Sequence, residues 1–180
     1  MITEINFLAK KILFITYASA IAAIYVVLTL IANALGLANY AIQVRFSEAL
    51  TILPFFTPAA IPGLFVGCIL ANILTGALPF DVVFGSLATL IGAIGTYFLC
   101  GKAQASLQDN RIKKFLAPIP PIISNTLIIP FVLAYVYEFE GSIPYFMLTV
   151  GIGEIISCGI LGLILLKTLG RRRSQLFPQE

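Results

Sequence analysis

The sequence predicts an all-α integral membrane protein with six transmembrane helices and both termini in the cytoplasm, and three observations predict it. Hydrophobic residues make up 59% of the 180 residues and charged residues 11%, where a soluble domain has about half and about a quarter, and mean hydropathy is +1.02. The apolar residues fall in long runs separated by short polar punctuation, the pattern of a chain that crosses a bilayer repeatedly. The basic residues gather beside the ends of those runs: Lys10 and Lys11, then Lys102, Arg111, Lys113 and Lys114, then Arg171, Arg172 and Arg173. The positive-inside rule places all three clusters in the cytoplasm. The net charge of +3 is thus a matter of membrane orientation, and nucleic-acid binding is not indicated. A span takes roughly 20 apolar residues, so residues 1–180 form one membrane-embedded domain with almost no room for a soluble one.

The first span lies near 12–35. Its apolar run, Ile12 to Ile31, is longer than the roughly 7–15 residues of a signal-peptide core, so it is read as a retained helix. Ala18 with Ala22, and Ser19 with Ala23, form small-xxx-small pairs with Ala20 between them. That spacing lets helix backbones approach closely, either within the chain or against a partner.

Between Ile12 and Leu99 the chain has three breaks, Gly36–Gln43, Thr57–Pro62 and Gly76–Pro79. A cytoplasmic start and a cytoplasmic 102–114 loop require an even number of crossings, which gives further spans near 45–57, 60–76 and 81–100. The second and third are short, so they tilt little or lie partly within protein. The same parity from the loop to the arginine cluster gives spans near 118–138 and 144–168. Gly36–Gln43, Gly76–Asp81 and Glu138–Pro144 then face outside, and Thr57–Pro62 is a tight cytoplasmic turn.

Ionisable and amide groups inside spans are costly and mark function by default. Arg45 and Glu48 stand at the outer end of the second span, with Gln43 just before them. Their i, i+3 spacing also allows a simple ion pair. Asp81 follows Pro79-Phe80 at the outer start of the fourth span, where it could serve only as a helix N-cap. Asn72 and Asn125 add amides to the third and fifth spans. Glu154 lies about ten residues, or about 15 Å, into the last span and has no basic neighbour on its own helix before Lys167. Its partner must come from another helix or from a ligand. Tyr135, Tyr137 and Tyr145 lie near span ends, where tyrosines most often anchor at the interface. Gly151, Gly153, Gly159 and Gly162 suit close packing or a kink in the last helix.

Several chemistries are absent. Cys68, Cys100 and Cys158 stand singly, without CxxC spacing, and there is no histidine, so no metal site, disulfide framework or cofactor is indicated. No GxxxxGK[ST] loop is present, and no nucleophile has a plausible base. A small helical protein with an outward polar pocket and no energy source has the character of a binding subunit that needs a partner, not of an enzyme.

Two blocks carry a family resemblance: Gln43-Val44-Arg45-Phe46-Ser47-Glu48-Ala49-Leu50 followed by Leu53-Pro54-Phe55-Phe56-Thr57-Pro58-Ala59-Ala60-Ile61-Pro62-Gly63-Leu64, and Asp81 through Leu90. Gly67-Cys68, Ala71-Asn72, Pro120-Pro121 with Asn125, and Gly151-Ile152-Gly153-Glu154 extend it over nearly the whole chain. With these the sequence resembles the QueT family of substrate-binding S components of energy-coupling factor (ECF) transporters, linked to uptake of queuosine precursors. The resemblance implies an S-component-like bundle in a bacterial plasma membrane. It implies as partners a membrane-embedded coupling (T) subunit and two cytoplasmic ABC-type ATPases, with Ala18 and Ala22 matching the coupling motif, and toppling within the membrane to deliver the ligand. A 7-deazaguanine, such as a pre-queuosine base or queuine, is the implied substrate. Gln43, Arg45, Glu48, Asn72, Asp81, Asn125 and Glu154 are expected to bind it, with Glu154 on the guanine edge or on an aminomethyl cation. The residues also admit an S component for another vitamin, a self-sufficient secondary transporter using Glu154 as an ion site, and a non-transport scaffold subunit.

Overall fold

The computed structural model describes residues 2–37, 43–101 and 111–177. Lys102 and most of its basic loop, and part of the Gly36–Gln43 break, lie outside them. Every regular element among the described residues is helical: α1 (Ile2–Ala34), a 3-10 segment (Phe46–Phe55), α2 (Ala60–Leu74), α3 (Pro79–Thr96) running into a π turn (Tyr97–Gly101), a short α4 (Arg111–Leu116), α5 (Ile119–Tyr135), α6 (Ile143–Glu154), a π segment (Ile155–Leu161), α7 (Gly162–Gly170) and the four-residue α8 (Arg173–Leu176).

Among the described residues, four helical stretches are long and apolar enough to cross a membrane, Phe7–Ala34, Pro79–Cys100, Ile112–Tyr135 and Ile143–Gly170, while Phe46–Phe55 and Ala60–Leu74 are shorter. The shorter two lie where spans are expected near 45–57 and 60–76, but neither has the length of a membrane span. The 15 residues of α2 reach about 22 Å, less than a hydrocarbon core of about 30 Å. The ten residues 46–55 reach about 20 Å as a 3-10 helix, a third more than as an α-helix. Ser47 to Pro54 are all buried, so this segment is surrounded by protein, where a tight and unusual backbone is tolerated.

Two glycines stop the helices that flank it. At the end of α1, Leu37 N–H donates to Ala32 O (3.0 Å) and Gly36 N–H to Asn33 O (2.9 Å). At the end of α2, Ala77 N–H donates to Asn72 O (2.9 Å) and Gly76 N–H to Ile73 O (3.1 Å). Gly36 and Gly76 have φ of 72° and 75°, the left-handed conformation this cap requires.

Small residues set the closest helix contacts. A Cβ on Gly63 would lie 2.6 Å from Ala18 O, and one on Gly67 3.0 Å from Ala22 Cα, so α1 and α2 touch backbone to backbone. Between α3 and α5, a Cβ on Gly92 would lie 2.6 Å from Pro121 Cα and one on Gly95 2.7 Å from Pro120 Cβ. Hydrogen bonds from Ser124 Oγ to Ala88 O and from Thr96 Oγ1 to Ala117 O, both 2.9 Å, join the same layer.

One apolar core runs between α1, the 3-10 segment, α2 and α7 and includes Tyr25, Ile52, Phe56, Leu64 and Leu166. A smaller one, Ala88, Ile129, Leu133, Phe146 and Val150, joins α3, α5 and α6. At the end of the bundle with the Phe56–Pro58 turn the chain folds back on itself. Phe177 stacks on Phe56 (5.5 Å, 6°) and tilts against Tyr17 (5.7 Å), whose hydroxyl donates to Leu176 O at 2.7 Å. Arg171 and Arg172 are exposed beside this clasp.

Candidate functional site

The site begins with an extended strip, 43–45, strung between α1 and the last helix. Val44 N–H donates to Leu37 O (3.1 Å) and Arg45 N–H to Ser157 Oγ (3.2 Å). Gly153 lies against the Gln43 carbonyl, where any Cβ would collide, so this position requires glycine. Arg45 is extended, with φ −107° and ψ 111°, and precedes the 3-10 segment rather than belonging to it.

Glu48 sits in the first turn of that segment and is 2% exposed. Its Oε1 accepts a hydrogen bond from Tyr25 Oη, and its Oε2 accepts from Asn125 Nδ2 at 3.5 Å. The simple Arg45–Glu48 pair is therefore not what satisfies this carboxylate. Thr29 Oγ1 donates to Ser47 Oγ at 2.8 Å and fixes the start of the segment on α1.

Glu154 is the last residue of α6, and the π segment begins beside it. A π turn widens the helix and often marks a functional site. Here Gly153, Glu154, Ser157 and Cys158 are all buried. Cys158 Sγ donates to Glu154 Oε2 at 3.0 Å and lies 3.4 Å from Glu48 O. Ligand atoms of Glu48, Glu154 and Cys158 fall within 4.8 Å of one another, a donor set of the kind that meets a divalent cation. Internal hydrogen bonds already engage all three side chains.

Asn72 is 2% exposed, and its Nδ2 donates to Cys68 Sγ at 3.6 Å. Asp81 is the third residue of α3, behind an N-cap at Leu78 and Pro79 in the first turn, so it is not the cap that its position after Pro79-Phe80 allowed. Its Oδ2 accepts from Tyr137 Oη at 2.8 Å. Tyr137 Oη also accepts from Leu78 N–H at 3.4 Å, tying the start of α3 to the end of α5.

These side chains surround a cavity of about 600 Å³ lined by Gln43, Arg45, Asn72 and Asp81 together with the rings of Tyr137, Phe139, Tyr145 and Phe146. Below it is a recess of about 20 Å³ lined by Glu48, Asn125, Glu154 and Thr89. Gln43, Arg45 and Ile129 line both. The seven sequence-selected polar residues thus line these two adjoining spaces, at the end of the bundle formed by the expected outer loops.

Sequence reasoning missed Tyr25, Thr29, Ser157 and Cys158. Tyr25 could have been found, because a tyrosine near the middle of an apolar span is far from any interface it could anchor. Cys158 stands four residues after Glu154, on the same helix face. Of the tyrosines read as anchors, Tyr137 and Tyr145 line the cavity, while Tyr135 is 71% exposed. Ala18 and Ala22 face α2, and Ala22 is buried there, which is the arrangement expected of packing within the chain. The small residues left on the open face of α1 are Ser19, Ala20 and Ala23.

A family model described as QueT transporter matches residues 15–171. A protein of Lactococcus lactis subsp. cremoris (strain MG1363), described as queuosine precursor transporter QueT, is 26% identical over 155 residues, which span 84% of this chain and 89% of the relative. No solved structure matches.

Proposed function

This chain belongs to the QueT transporter family, and from that premise we propose that it is the substrate-binding S component of an ECF-type transporter that takes up a queuosine precursor, a 7-deazaguanine. The observation that carries the reading is the cavity in which Gln43, Arg45, Asn72 and Asp81 meet four aromatic residues, with Glu48, Asn125 and Glu154 in the recess beneath. A concave, largely apolar space with a few convergent polar groups is the usual form of a small-molecule site. A flat deazaguanine has faces that stack on rings and an edge of donors and acceptors that amides, a guanidinium and carboxylates complement.

The chain has no phosphate-binding loop of its own, so the energy comes from two cytoplasmic ABC-type ATPases through a membrane-embedded T subunit. We assign that contact to the open face of α1 at the exposed Ser19, Ala20 and Ala23, beside Ala18 and Ala22, which pack on α2. In this reading the protein crosses a bacterial plasma membrane six times with both ends inside. The cavity opens outward, and the Phe56–Pro58 turn faces the ATPases.

Calorimetry on the purified chain tests the binding role: saturable binding of a 7-deazaguanine is expected, and no binding of any such base overturns it. Uptake into proteoliposomes tests the coupling. Transport is expected only when the T subunit, both ATPases and ATP are present, whereas uptake by the isolated chain would make it a secondary transporter.

A further inference from the structure

Arg45 is a cation that the protein leaves unsatisfied. It lines both the cavity and the recess and is partly buried. Among the described residues its guanidinium nevertheless has neither a hydrogen bond nor an ion pair. The carboxylates beneath it are engaged elsewhere. Tyr25 and Asn125 bond to the two oxygens of Glu48, and Cys158 and Asn125 bond to Glu154. Asp81 differs from both. It is 5% exposed and gives Oδ2 to the Tyr137 hydroxyl, which leaves Oδ1 without a donor among the described residues. Of the carboxylates, Asp81 attracts Arg45 most strongly. Thr126 Oγ1 is the sealed polar atom without a partner found among the described residues, so the free atoms of Arg45 and Asp81 open onto the cavity that both residues line.

Two opposite charges sharing one cavity would gain by bonding to each other, yet each is anchored elsewhere. Arg45 N–H donates to Ser157 Oγ at 3.2 Å, at the end of the strip 43–45. Asp81 is tied through Tyr137 to Leu78 at the start of α3. A guanidinium offers N–H donors only, and an ionised carboxylate acceptors only. A ligand that fits between them therefore carries an acceptor with a donor directly beside it. A lactam edge, a ring carbonyl next to a ring N–H, is that pattern in its most compact form.

We infer that Arg45 and Asp81 are a specificity pair that reads a lactam edge, with Arg45 donating to the ring carbonyl and Asp81 accepting from the N–H beside it. The role of this pair rests on the deazaguanine reading, and it gives Asp81 the guanine-edge contact expected of Glu154. A 7-deazaguanine carries its carbonyl at C6 and its N–H at N1, with the 2-amino group as a second donor toward Asp81. Exchanging the carbonyl for an amino group reverses both positions. An N–H donor then meets the guanidinium, and a ring-nitrogen lone pair meets the carboxylate. Such a mismatch rejects the analogue as well as failing to bind it.

Calorimetry with the full chain in nanodiscs tests this on two pairs of compounds. Each pair is a 7-deazaguanine, with an aminomethyl or a cyano group at C7, and its counterpart carrying an amino group at C6 in place of the carbonyl. Wild type is expected to bind the 6-oxo member of any pair it recognises at least tenfold more tightly. In Arg45→Met, and separately in Asp81→Ala, that ratio is expected to fall at least fivefold. A wild-type ratio below tenfold, or a ratio that survives either substitution, overturns the specificity pair while leaving the deazaguanine reading standing. If wild type binds no member of either pair, the deazaguanine reading itself falls. The wild-type comparison needs no variant to fold.

Discussion

At one end of the bundle, α1 and α2 meet through Ala18, Ala22, Gly63 and Gly67 with no space for a methyl group between them. At the other end the same two helices stop at Gly36 and Gly76 beside a cavity of about 600 Å³. In a membrane, lipid is as apolar as a core, so helices are held by van der Waals fit and hydrogen bonds rather than by expulsion of water. The closed end uses the first means. The open end uses the second: Tyr25 to Glu48, Asn125 to Glu48, Tyr137 to Asp81 and Thr29 to Ser47. A void costs packing contacts, and these bonds hold its walls apart. Stability and ligand affinity should therefore respond to different residues.

The strongest way to break that contrast is Gly67→Leu. A side chain there meets Ala22 and Tyr25 at 2.9–3.1 Å from its first carbon, and overpacking of such a contact costs about 3 kcal/mol or more. We expect little folded protein by size-exclusion chromatography; a monodisperse variant with the wild-type Tm would refute the packing described for the closed end. Glu48→Ala bridges the two ends. It strands the Tyr25 hydroxyl and the Asn125 amide, so a loss of about 1–3 kcal/mol in stability is expected in thermal denaturation, together with at least tenfold weaker ligand binding. Loss of only one of the two would separate ends that Glu48 is argued to join. Tyr137→Phe removes two hydrogen bonds at the cavity mouth, a close one to Asp81 and a long one from Leu78 N–H; the closer is worth about 1 kcal/mol, or about fivefold in affinity. Its Tm should stay near that of wild type, and an affinity unchanged in calorimetry would show that the Asp81 clasp does not shape the cavity. The smallest effect is expected of Phe177→Ala, which loses an aromatic stack worth about 0.5–1.5 kcal/mol. A modest fall in Tm with unchanged affinity is the outcome; altered affinity would mean that the two ends communicate.

Much of this was legible in the sequence, for identifiable reasons. Glycine and proline mark where helices end, so Gly36, Gly76 and the Pro58 turn bounded the elements. Charge inside apolar runs is costly, so Arg45, Glu48, Asp81 and Glu154 stood out. The 3-10 backbone of 46–55 was not legible, because its nearly continuous apolar run has no period to read and its geometry depends on being surrounded. The π segment after Glu154 was hidden for the same reason, and with it Ser157 and Cys158, whose small side chains carry no signal until the helix widens. Spacing showed that Ala18 and Ala22 permit a close approach, but not to which helix. Asp81 could have capped α3, yet Pro79 takes the first turn and leaves Asp81 to Tyr137.

The clasp at the closed end bears on how the chain is made. Tyr17 bonds to Leu176 and packs on Phe177, 159 residues away for the hydrogen bond, and Phe177 also covers Phe56. The ribosome releases Tyr17 long before Leu176 and Phe177. The first helix therefore enters the bilayer with this contact unmade, and Phe56 stays uncovered until Phe177 follows. The closed end is completed only after the helices that wall the cavity have been made.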